Sequence, residues 1–174
     1  MVAILETDRL YLREFIIEDA SDFFNLNNDP EVVKYTGDAP FSDINAAKIF
    51  LQNYEYKIPP YTKIPTPIGR WAMIEKSDNS FIGWCGLKYF EPKDEIDIGY
   101  RLHRKFWGKN YATEAANACI TFGLQKLETP LIVGRAMKEN LASIRVLEKC
   151  GMTYWKDYVF HEHPGVYYRI EREA

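Results

Sequence analysis

The stretch RKFWGKNYATEAANACI, residues 104–120, combines residue types that bind phosphate. Two cations and Gly108 precede a run with the composition of a helix. A helix N-terminus carries about half a positive charge and several amides without intrahelical partners. Gly108 allows close approach of the backbone to a ligand, and Asn110 tolerates the left-handed conformation. The pattern indicates a site for a phosphate-bearing ligand, with a tight strand-to-helix turn as the alternative that composition alone leaves open.

Other residues with metal or redox chemistry indicate no further centre. His161 and His163 stand two apart on an apparent strand without a third ligand near them, which favours a solvent-facing pair over a metal site. Cys85, Cys119 and Cys150 are an odd number, widely spaced among apolar neighbours. They are expected to be reduced core thiols rather than a disulfide framework. We therefore expect no metal.

Length and composition narrow the class of protein. The 174 residues suit one domain, 1–174, with 47% hydrophobic and 27% charged residues. The formal charge of -3 provides no broad basic surface for nucleic acid, so an anion site must be local. Neither a signal peptide nor an apolar run of about 18 residues is apparent. With reduced thiols, these features predict a cytoplasmic protein that does not enter a membrane.

The elements that would hold the anion site alternate between strand and helix patterns. In the first half, the sequence predicts a strand over 9–15, a helix after Asp19, a helix over 42–57 with Ser42 as N-cap, and an ordered Pro-rich loop over 56–70. The second half predicts three meander strands within 70–103, a helix over 109–126, a strand over 131–137, a helix closed by Gly151, and two Tyr-rich strands. The order is that of an α+β protein with one βαβ crossover.

One face of the helix over 109–126 consists mostly of small residues. Its members are Ala112, Ala115, Ala116, Cys119, Ile120, Gly123 and Leu127. A helix with little bulk on its buried face can lie close to a sheet. This packing would set the position of its N-terminus relative to the preceding strand.

Residues 97–127 and 140–152, DIGYRLHRKFWGKNYATEAANACITFGLQKL and NLASIRVLEKCGM, resemble the acetyl-CoA motif of the GNAT superfamily of N-acetyltransferases. The opening ETDRLYLRE resembles the branch of bacterial enzymes that acetylate the N-terminus of ribosomal proteins. The family signature Q/R-x-x-G-x-G/A falls on residues 107–112, with Trp107 in the place of Gln or Arg and Asn110 in that of the middle Gly. The resemblance implies a mixed, mostly antiparallel sheet of about seven strands, flanked by about four helices and splayed at a central parallel pair.

The resemblance also implies acetyl-CoA as co-substrate. The implied binding residues are Tyr100, Arg101, Leu102, Trp107, Gly108, Lys109, Asn110, Tyr111, Ala112, Asn140 and Ser143. In the family, backbone amides contact the phosphates, and an amide at a bulge, here in the region 99–102, faces the thioester oxygen. Asn140 would bind the pantetheine arm while also capping its helix.

The resemblance assigns the proton-transfer roles less directly. Asp97 is the first candidate for the general base and Glu75 the second, with water as an alternative; ordinary solvated carboxylates would look the same. The tyrosine that often protonates the departing sulfur is replaced by Leu147, and Ser143 is the candidate substitute. A Ser in the first turn of a helix also commonly satisfies a backbone amide.

The resemblance implies direct transfer to a primary amine in a ternary complex, by a monomer or a homodimer. An N-terminal α-amine of a protein is the first expectation, because its pKa of about 8 demands little of a base. A small amine such as a polyamine, amino acid or aminoglycoside is the second, and a non-catalytic CoA-binding module is the rival. A P-loop is weaker because FWGKNYAT lacks its first Gly. The candidate acceptor walls are Tyr54, Tyr56, Tyr61, Trp71, Trp155 and Tyr158, with an acidic patch of Glu91, Asp94 and Glu95.

Overall fold

The computed structural model describes residues 2–160 and 162–173. In this part of the chain, eight strands form one sheet: β1 (Leu5–Glu6), β2 (Leu10–Arg13), β3 (Trp71–Glu75), β4 (Phe81–Phe90), β5 (Glu95–Leu102), β6 (Leu131–Met137), β7 (Thr153–Phe160) and β8 (His163–Glu171). The helices are α1 (Ala20–Asn28), α2 (Pro30–Val33), α3 (Ile44–Gln52), α4 (Tyr111–Thr121) and α5 (Leu141–Lys149). The predicted α+β fold is confirmed. The sequence predicted about seven strands and about four helices. The additional strand β1 and the additional helix α2 are too short to produce a periodic pattern.

The sheet is open at its centre. Its strand order is β1-β2-β3-β4-β5-β6-β8-β7, and every neighbouring pair is antiparallel except β5 and β6. These two parallel strands pair only at Asp97 with Val133 and at Ile98 with Gly134. Beyond this point they separate while each stays paired with its other neighbour. The predicted splay is therefore present.

The predicted bulge in β5 is wrong. This strand keeps a continuous register against β4 from Glu95 to Leu102. The shifts of register instead lie between Met73 and Ile74, and between Tyr154 and Lys156. The gap next to residues 99–102 arises from the divergence of β5 and β6 alone.

Two hydrophobic clusters cover opposite faces of the sheet. Trp71 and Met73 belong to the cluster under α4 and α5, while the alternate residues Ala72 and Ile74 belong to the cluster under α1 and α3. Successive side chains of a strand point to opposite faces, which explains this division. We call these the α4 face and the α1 face.

The small-residue face of α4 packs closely on the sheet, as predicted. Ala115, Ala116 and Cys119 are fully buried or nearly so. A Cβ atom on Gly123 would lie 2.6 Å from Leu87 Cδ1 and 2.7 Å from Ile132 Cδ1. Beyond α4 the chain winds as a π-helical turn, Phe122–Lys126, so the predicted helix is continuous but changes its hydrogen-bond pattern.

Local polar groups define the ends of the other helices. Asp43, rather than the predicted Ser42, caps α3, because its Oδ1 accepts the N–H of Ala46 at 2.9 Å. Gly151 ends α5 with a φ of 78°, in agreement with the sequence prediction. In the described part of the chain, no helix combines the length and apolarity needed to cross a membrane.

Candidate active site

The turn before α4 exposes its backbone. Gly108 and Asn110 have φ angles of 73° and 63°, the left-handed conformation that their residue types favour. A Cβ atom on Gly108 would meet no described atom within 4 Å, and no described side chain caps the helix. Open space therefore borders this turn, next to the positive end of the helix dipole.

Side chains around this turn hold it to the sheet. Arg9 donates to the carbonyl of Lys109 at 3.1 Å and forms an ion pair of 2.6 Å with Glu114. The indole of Trp107 is half exposed, and its Nε1–H donates to the carbonyl of Leu102 at 2.9 Å. Trp107 thus fastens the turn to the end of β5.

Glu75, the second candidate for the general base, lies at this turn. Its carboxylate accepts a short hydrogen bond from the hydroxyl of Tyr111, the first residue of α4. Glu75 does not line the cleft described next. Its contacts are those of a residue that orients α4.

A cleft of about 560 Å³ occupies the gap where β5 and β6 diverge. Its α4-face lining includes Tyr100, Asn140, Ser143 and Leu147, and its α1-face lining includes Arg70, Trp84, Lys88, Asp97, Arg101 and Arg135. The cleft thus joins the two faces of the sheet through the gap. Such an opening allows two ligands to meet from opposite sides.

Two hydroxyl groups meet on the α4 side of the cleft. The Tyr100 hydroxyl donates to the carbonyl of Ser143 at 2.7 Å and accepts from Ser143 Oγ at 3.0 Å. Asn140 Oδ1 accepts the N–H of Ser143 at 3.2 Å, which is the predicted helix cap. Burial raises the pKa of Tyr100, so this phenol keeps its proton at neutral pH. Leu147, which also lines the cleft, is buried.

The Tyr100 side chain is a candidate proton donor that sequence reasoning missed, since the motif directed attention to its backbone. Alternation in β5 was the available signal. Ile96 and Ile98 face α4 and α5, so Tyr100 faces the same way.

Asp97, the first candidate for the general base, is held between two guanidinium groups. Its Oδ1 accepts from Arg70 Nη2 at 2.9 Å and its Oδ2 from Arg135 Nη2 at 2.8 Å. Burial alone would raise the pKa of Asp97, but the charges of Arg70 and Arg135 outweigh this effect and lower it. A carboxylate stabilised in this way accepts a proton poorly, which weighs against the predicted role.

Arg101 and Leu102 point to opposite faces of the sheet. The Arg101 guanidinium lies on the α1 face, where it donates to Asn27 Oδ1 and, at 2.5 Å, to Asp38 Oδ2. Leu102 is buried in the core of the α4 face. The amide of His103 donates to the carbonyl of Ile82 on the β4 side, and amides alternate along a strand, so the amide of Leu102 points toward the gap and that of Arg101 toward β4.

Most of the aromatic residues that the sequence predicted to line the acceptor cleft lie outside it. Trp71 is fully buried, and the hydroxyls of Tyr54 and Tyr56 accept the backbone N–H groups of Arg70 and Phe15. Tyr61 packs on Tyr89, and Trp155 packs on Tyr167. Of the predicted set, Tyr158 lines the cleft.

Four aromatic residues that were not predicted also line the cleft: Tyr35, Trp84, Phe90 and Phe160. Trp84, Lys88 and Phe90 lie on the same side of β4, because side chains separated by an even number of residues share a face of a strand. This alternation is the sequence signal that could have grouped them.

The predicted acidic patch is satisfied by its neighbours. Glu91 forms an ion pair of 2.7 Å with Lys57, and Asp94 accepts from the hydroxyl of Tyr89 at 2.7 Å. His161 of the predicted histidine pair lies outside the described residues. Among the described residues, no three His, Cys, Asp or Glu side chains form a group that could hold a metal ion. The three cysteines are buried and free.

Comparison with known proteins assigns the family. Residues 9–153 match the family model described as the acetyltransferase (GNAT) domain. The chain belongs to the GNAT superfamily. It is therefore an N-acetyltransferase whose family uses acetyl-CoA.

Relatives and solved structures agree with this assignment. The uncharacterized N-acetyltransferase p20 of Bacillus licheniformis is 33% identical over 144 residues, which cover 82% of this chain and 78% of the relative. A GNAT acetyltransferase structure from Bacillus anthracis superposes with a TM-score of 0.80 at 22% identity, covering 96% and 97% of the two chains. Spermidine N-acetyltransferase from Vibrio cholerae, in complex with CoA and spermine, superposes with a TM-score of 0.75 at 16% identity, covering 95% and 97%. These two likenesses show the GNAT fold.

The residues at the turn of this acetyltransferase fit the diphosphate of CoA. Gly108, Lys109 and Asn110 are exposed, and the backbone amides of residues 108–112 are the candidate donors. The cation Lys149 lies close by and donates to Asn110 Oδ1 at 3.1 Å. A helix N-terminus of this kind binds anions without a broad basic surface. The open space beside Gly108 leaves room for the ligand.

Ala112→Glu tests this fit. A carboxylate in the first turn of α4 favours the helix by about 0.3 to 1 kcal/mol. Ala112 lies partly buried at the edge of the small-residue face, so circular dichroism and urea unfolding first establish that the variant is folded. Next to the amides of residues 108–112 it should repel a diphosphate and raise the Kd for acetyl-CoA at least about tenfold. Isothermal titration calorimetry measures this change.

Asn117→Glu is the matched control, because it adds the same charge to an exposed position farther along α4. Screening over that distance should keep its Kd within about twofold of the original. Equal affinities for the original protein and Ala112→Glu would place the diphosphate elsewhere.

Proposed function

We propose that residues 1–174 act as a single acetyltransferase domain that transfers an acetyl group from acetyl-CoA directly to the N-terminal α-amine of a protein or peptide. The observation that carries this choice is the state of the carboxylates in the cleft. Among the described residues that line it, the carboxylates are Asp38 and Asp97, and both form ion pairs with arginine. The acceptor must therefore supply a neutral amine with little help from a base.

The pKa of the acceptor decides which amines meet this requirement. An α-amine with a pKa of about 8 is roughly one-tenth neutral at pH 7, whereas an alkyl amine with a pKa near 10.4 costs about 4.6 kcal/mol to deprotonate. This difference favours an α-amine over a polyamine. It agrees with the resemblance to enzymes that acetylate ribosomal proteins.

The α4 side of the cleft provides groups for the remaining steps. Acetyl-CoA supplies the acetyl group as a thioester. Alternate amides of β5 within residues 99–102 point toward the gap, where one of them can polarise a carbonyl, a contribution worth roughly 3 kcal/mol. The Tyr100 hydroxyl, paired with Ser143, holds a proton for the departing sulfur. Direct transfer is consistent with the burial of all three cysteines, which removes them as nucleophiles.

A small amine is the second candidate. The structural likeness to spermidine N-acetyltransferase motivates it, but that likeness extends to the fold alone. The rival is a CoA-binding module that has lost catalysis. Such a module would bind acetyl-CoA but release no thiol with any amine. The buried, reduced thiols are the basis for proposing a cytoplasmic location.

A panel of acceptors tests the proposed function. Peptides that begin with Ala, Ser or Met and small amines that include spermidine are mixed with acetyl-CoA, and thiol release is followed. We expect kcat/KM to be higher for the peptides. It should rise about tenfold per pH unit up to the α-amine pKa of about 8, because the neutral fraction of the amine limits the rate. Turnover of the small amines alone would refute the preference for an N-terminus.

A further inference from the structure

The charged residues of the cleft carry an excess of positive charge. Its lining contains four cations, Arg70, Lys88, Arg101 and Arg135, and two carboxylates, Asp38 and Asp97. The whole chain has a formal charge of -3, so this excess is a local property of the cleft. All six side chains lie on the α1 side or on strands that border the gap.

The excess is concentrated around Asp97. Arg101 is neutralised by Asp38, whereas Asp97 is one negative charge shared between Arg70 and Arg135. Lys88 lies directly opposite Asp97 on the neighbouring strand. Among the described residues, Lys88 Nζ has no hydrogen-bond or ion-pair partner. Two positive charges therefore remain without a counter-ion at one place.

The donors that remain available belong to Arg135 and Lys88. Arg70 Nη1 already donates to the carbonyls of Gly86 and Asp97 at 2.6 and 3.1 Å. Arg135 donates one N–H to Asp97, and the rest of its five-donor fork is uncommitted among the described residues. Its guanidinium lies 5.5 Å from the ring centroid of Phe90, which restrains it at the cleft wall. A restrained guanidinium beside an ammonium is suited to bind a carboxylate.

These cations are on the wrong face to bind the diphosphate of CoA. In β5 the side chain of Tyr100 faces α5 through Ser143, while Asp97 and Arg101 point to the α1 face. The turn at Gly108 lies at the N-terminus of α4, on the opposite face. The free donors beside Asp97 thus belong to the acceptor side of the cleft.

We propose that the acceptor amine of this enzyme carries a carboxylate a few bonds away, and that Arg135 and Lys88 bind that carboxylate. The inference rests on the proposed function and specifies its acceptor. A polyamine would bring further positive charge into a cleft that already has an excess, whereas a carboxylate neutralises it. The same excess lowers the pKa of a bound ammonium and so favours the neutral amine. A free amino acid and a peptide with an acidic N-terminal residue share this chemistry.

Matched acceptors separate these sources. One arm compares peptides that begin with Asp or Asn and are otherwise identical, and the other compares free leucine with leucinamide, with rates expressed per neutral amine. Thiol release gives kcat/KM for each, with spermidine as the cationic reference. We expect the carboxylate-bearing member of one pair or of both to exceed its uncharged partner at least about tenfold.

Charge reversal at the cleft rim provides the decisive variant. Lys88→Glu should reverse the preference, so that spermidine gains and the anionic acceptor loses at least about tenfold in kcat/KM. Lys88 is exposed, so the variant should fold. Lys48→Glu makes the same charge change on exposed α3, outside the cleft lining, and should retain the preference of the original protein.

The possible outcomes distinguish the two proposals. If uncharged or cationic acceptors react as fast as anionic ones, or if Lys88→Glu keeps the original preference, the N-acetyltransferase function stands and the anionic acceptor is wrong. If no amine in the panel releases thiol while acetyl-CoA binds, the proposed function fails and takes this inference with it.

Discussion

Asp97→Asn is expected to lower the free energy of unfolding by about 3 to 5 kcal/mol, the cost of removing one partner of a buried ion pair. The carboxylate has 12% exposure and accepts from Arg70 and Arg135. Its replacement by an amide leaves two guanidinium groups facing each other without a counter-charge. Urea unfolding at pH 7 measures the loss.

The effect of pH on this loss has a defined sign. The pKa of Asp97 is lowered in the folded protein, so the network stabilises the fold above the ordinary carboxyl pKa of about 3.9. This contribution disappears as the pH falls from about 4 through the lowered pKa. The difference in stability between the original protein and Asp97→Asn should therefore narrow as the pH falls below about 4.

A surface pair is the control for this prediction. Asp157 pairs with Lys138 at 2.6 Å, and both side chains are about half exposed. Asp157→Asn should leave the free energy of unfolding nearly unchanged, because water screens such pairs. An Asp97→Asn variant with normal stability and a large loss of kcat alone would instead support the role of general base that the sequence predicted.

Gly86→Ala is expected to cost about 3 kcal/mol of stability, at the upper end of the range for overpacking a core. The added Cβ would lie 2.1 Å from the carbonyl oxygen of Gly69 and 3.1 Å from Arg70 Cα, and backbone atoms cannot rotate away. Gly69 is itself closely packed, because a Cβ atom built on Gly69 would lie 2.5 Å from Tyr56 Cδ1. Chemical denaturation measures the shift.

The same change should also impair the cleft. Arg70 follows Gly69 and donates to the carbonyl of Gly86, so displacement of this segment moves the guanidinium that binds Asp97. Gly151→Ala is the control. Gly151 has a positive φ, unlike Gly86, and a Cβ atom there would meet Ile170 Cδ1 at 3.9 Å as its nearest contact, so about 1 kcal/mol is expected from the backbone strain alone. If Gly86→Ala were as stable as Gly151→Ala, the segment Gly69–Arg70 would move to accommodate the added Cβ at little cost, and the prediction would be wrong.

The cofactor end of the site could be predicted from the sequence because its determinants are local. Gly108 and Asn110 adopt the left-handed conformation that their types allow, and the small residues of α4 lie against the sheet as their spacing predicts. Asn140 caps α5 for the same reason, since a cap is a contact between residues three apart. Each of these features depends on a few neighbouring residues.

The acceptor end could not be predicted in this way. Arg70, Asp97 and Arg135 come from a loop and two strands, and the arginines lie 27 and 38 residues from the aspartate. Taken singly, Asp97 has the appearance of an ordinary strand carboxylate or of a base. Its pKa depends on which charges the fold brings beside it.

The sequence by itself determined the α+β class and the turn that fits a diphosphate, because periodicity, helix capping and backbone conformation are short-range properties. Its resemblance to the acetyl-CoA motif indicated the family. Only the tertiary structure decided which charges surround the cleft. Electrostatic interactions act through space, so the partners of Asp97 and the excess of positive charge appear only after β4, β5 and β6 lie side by side.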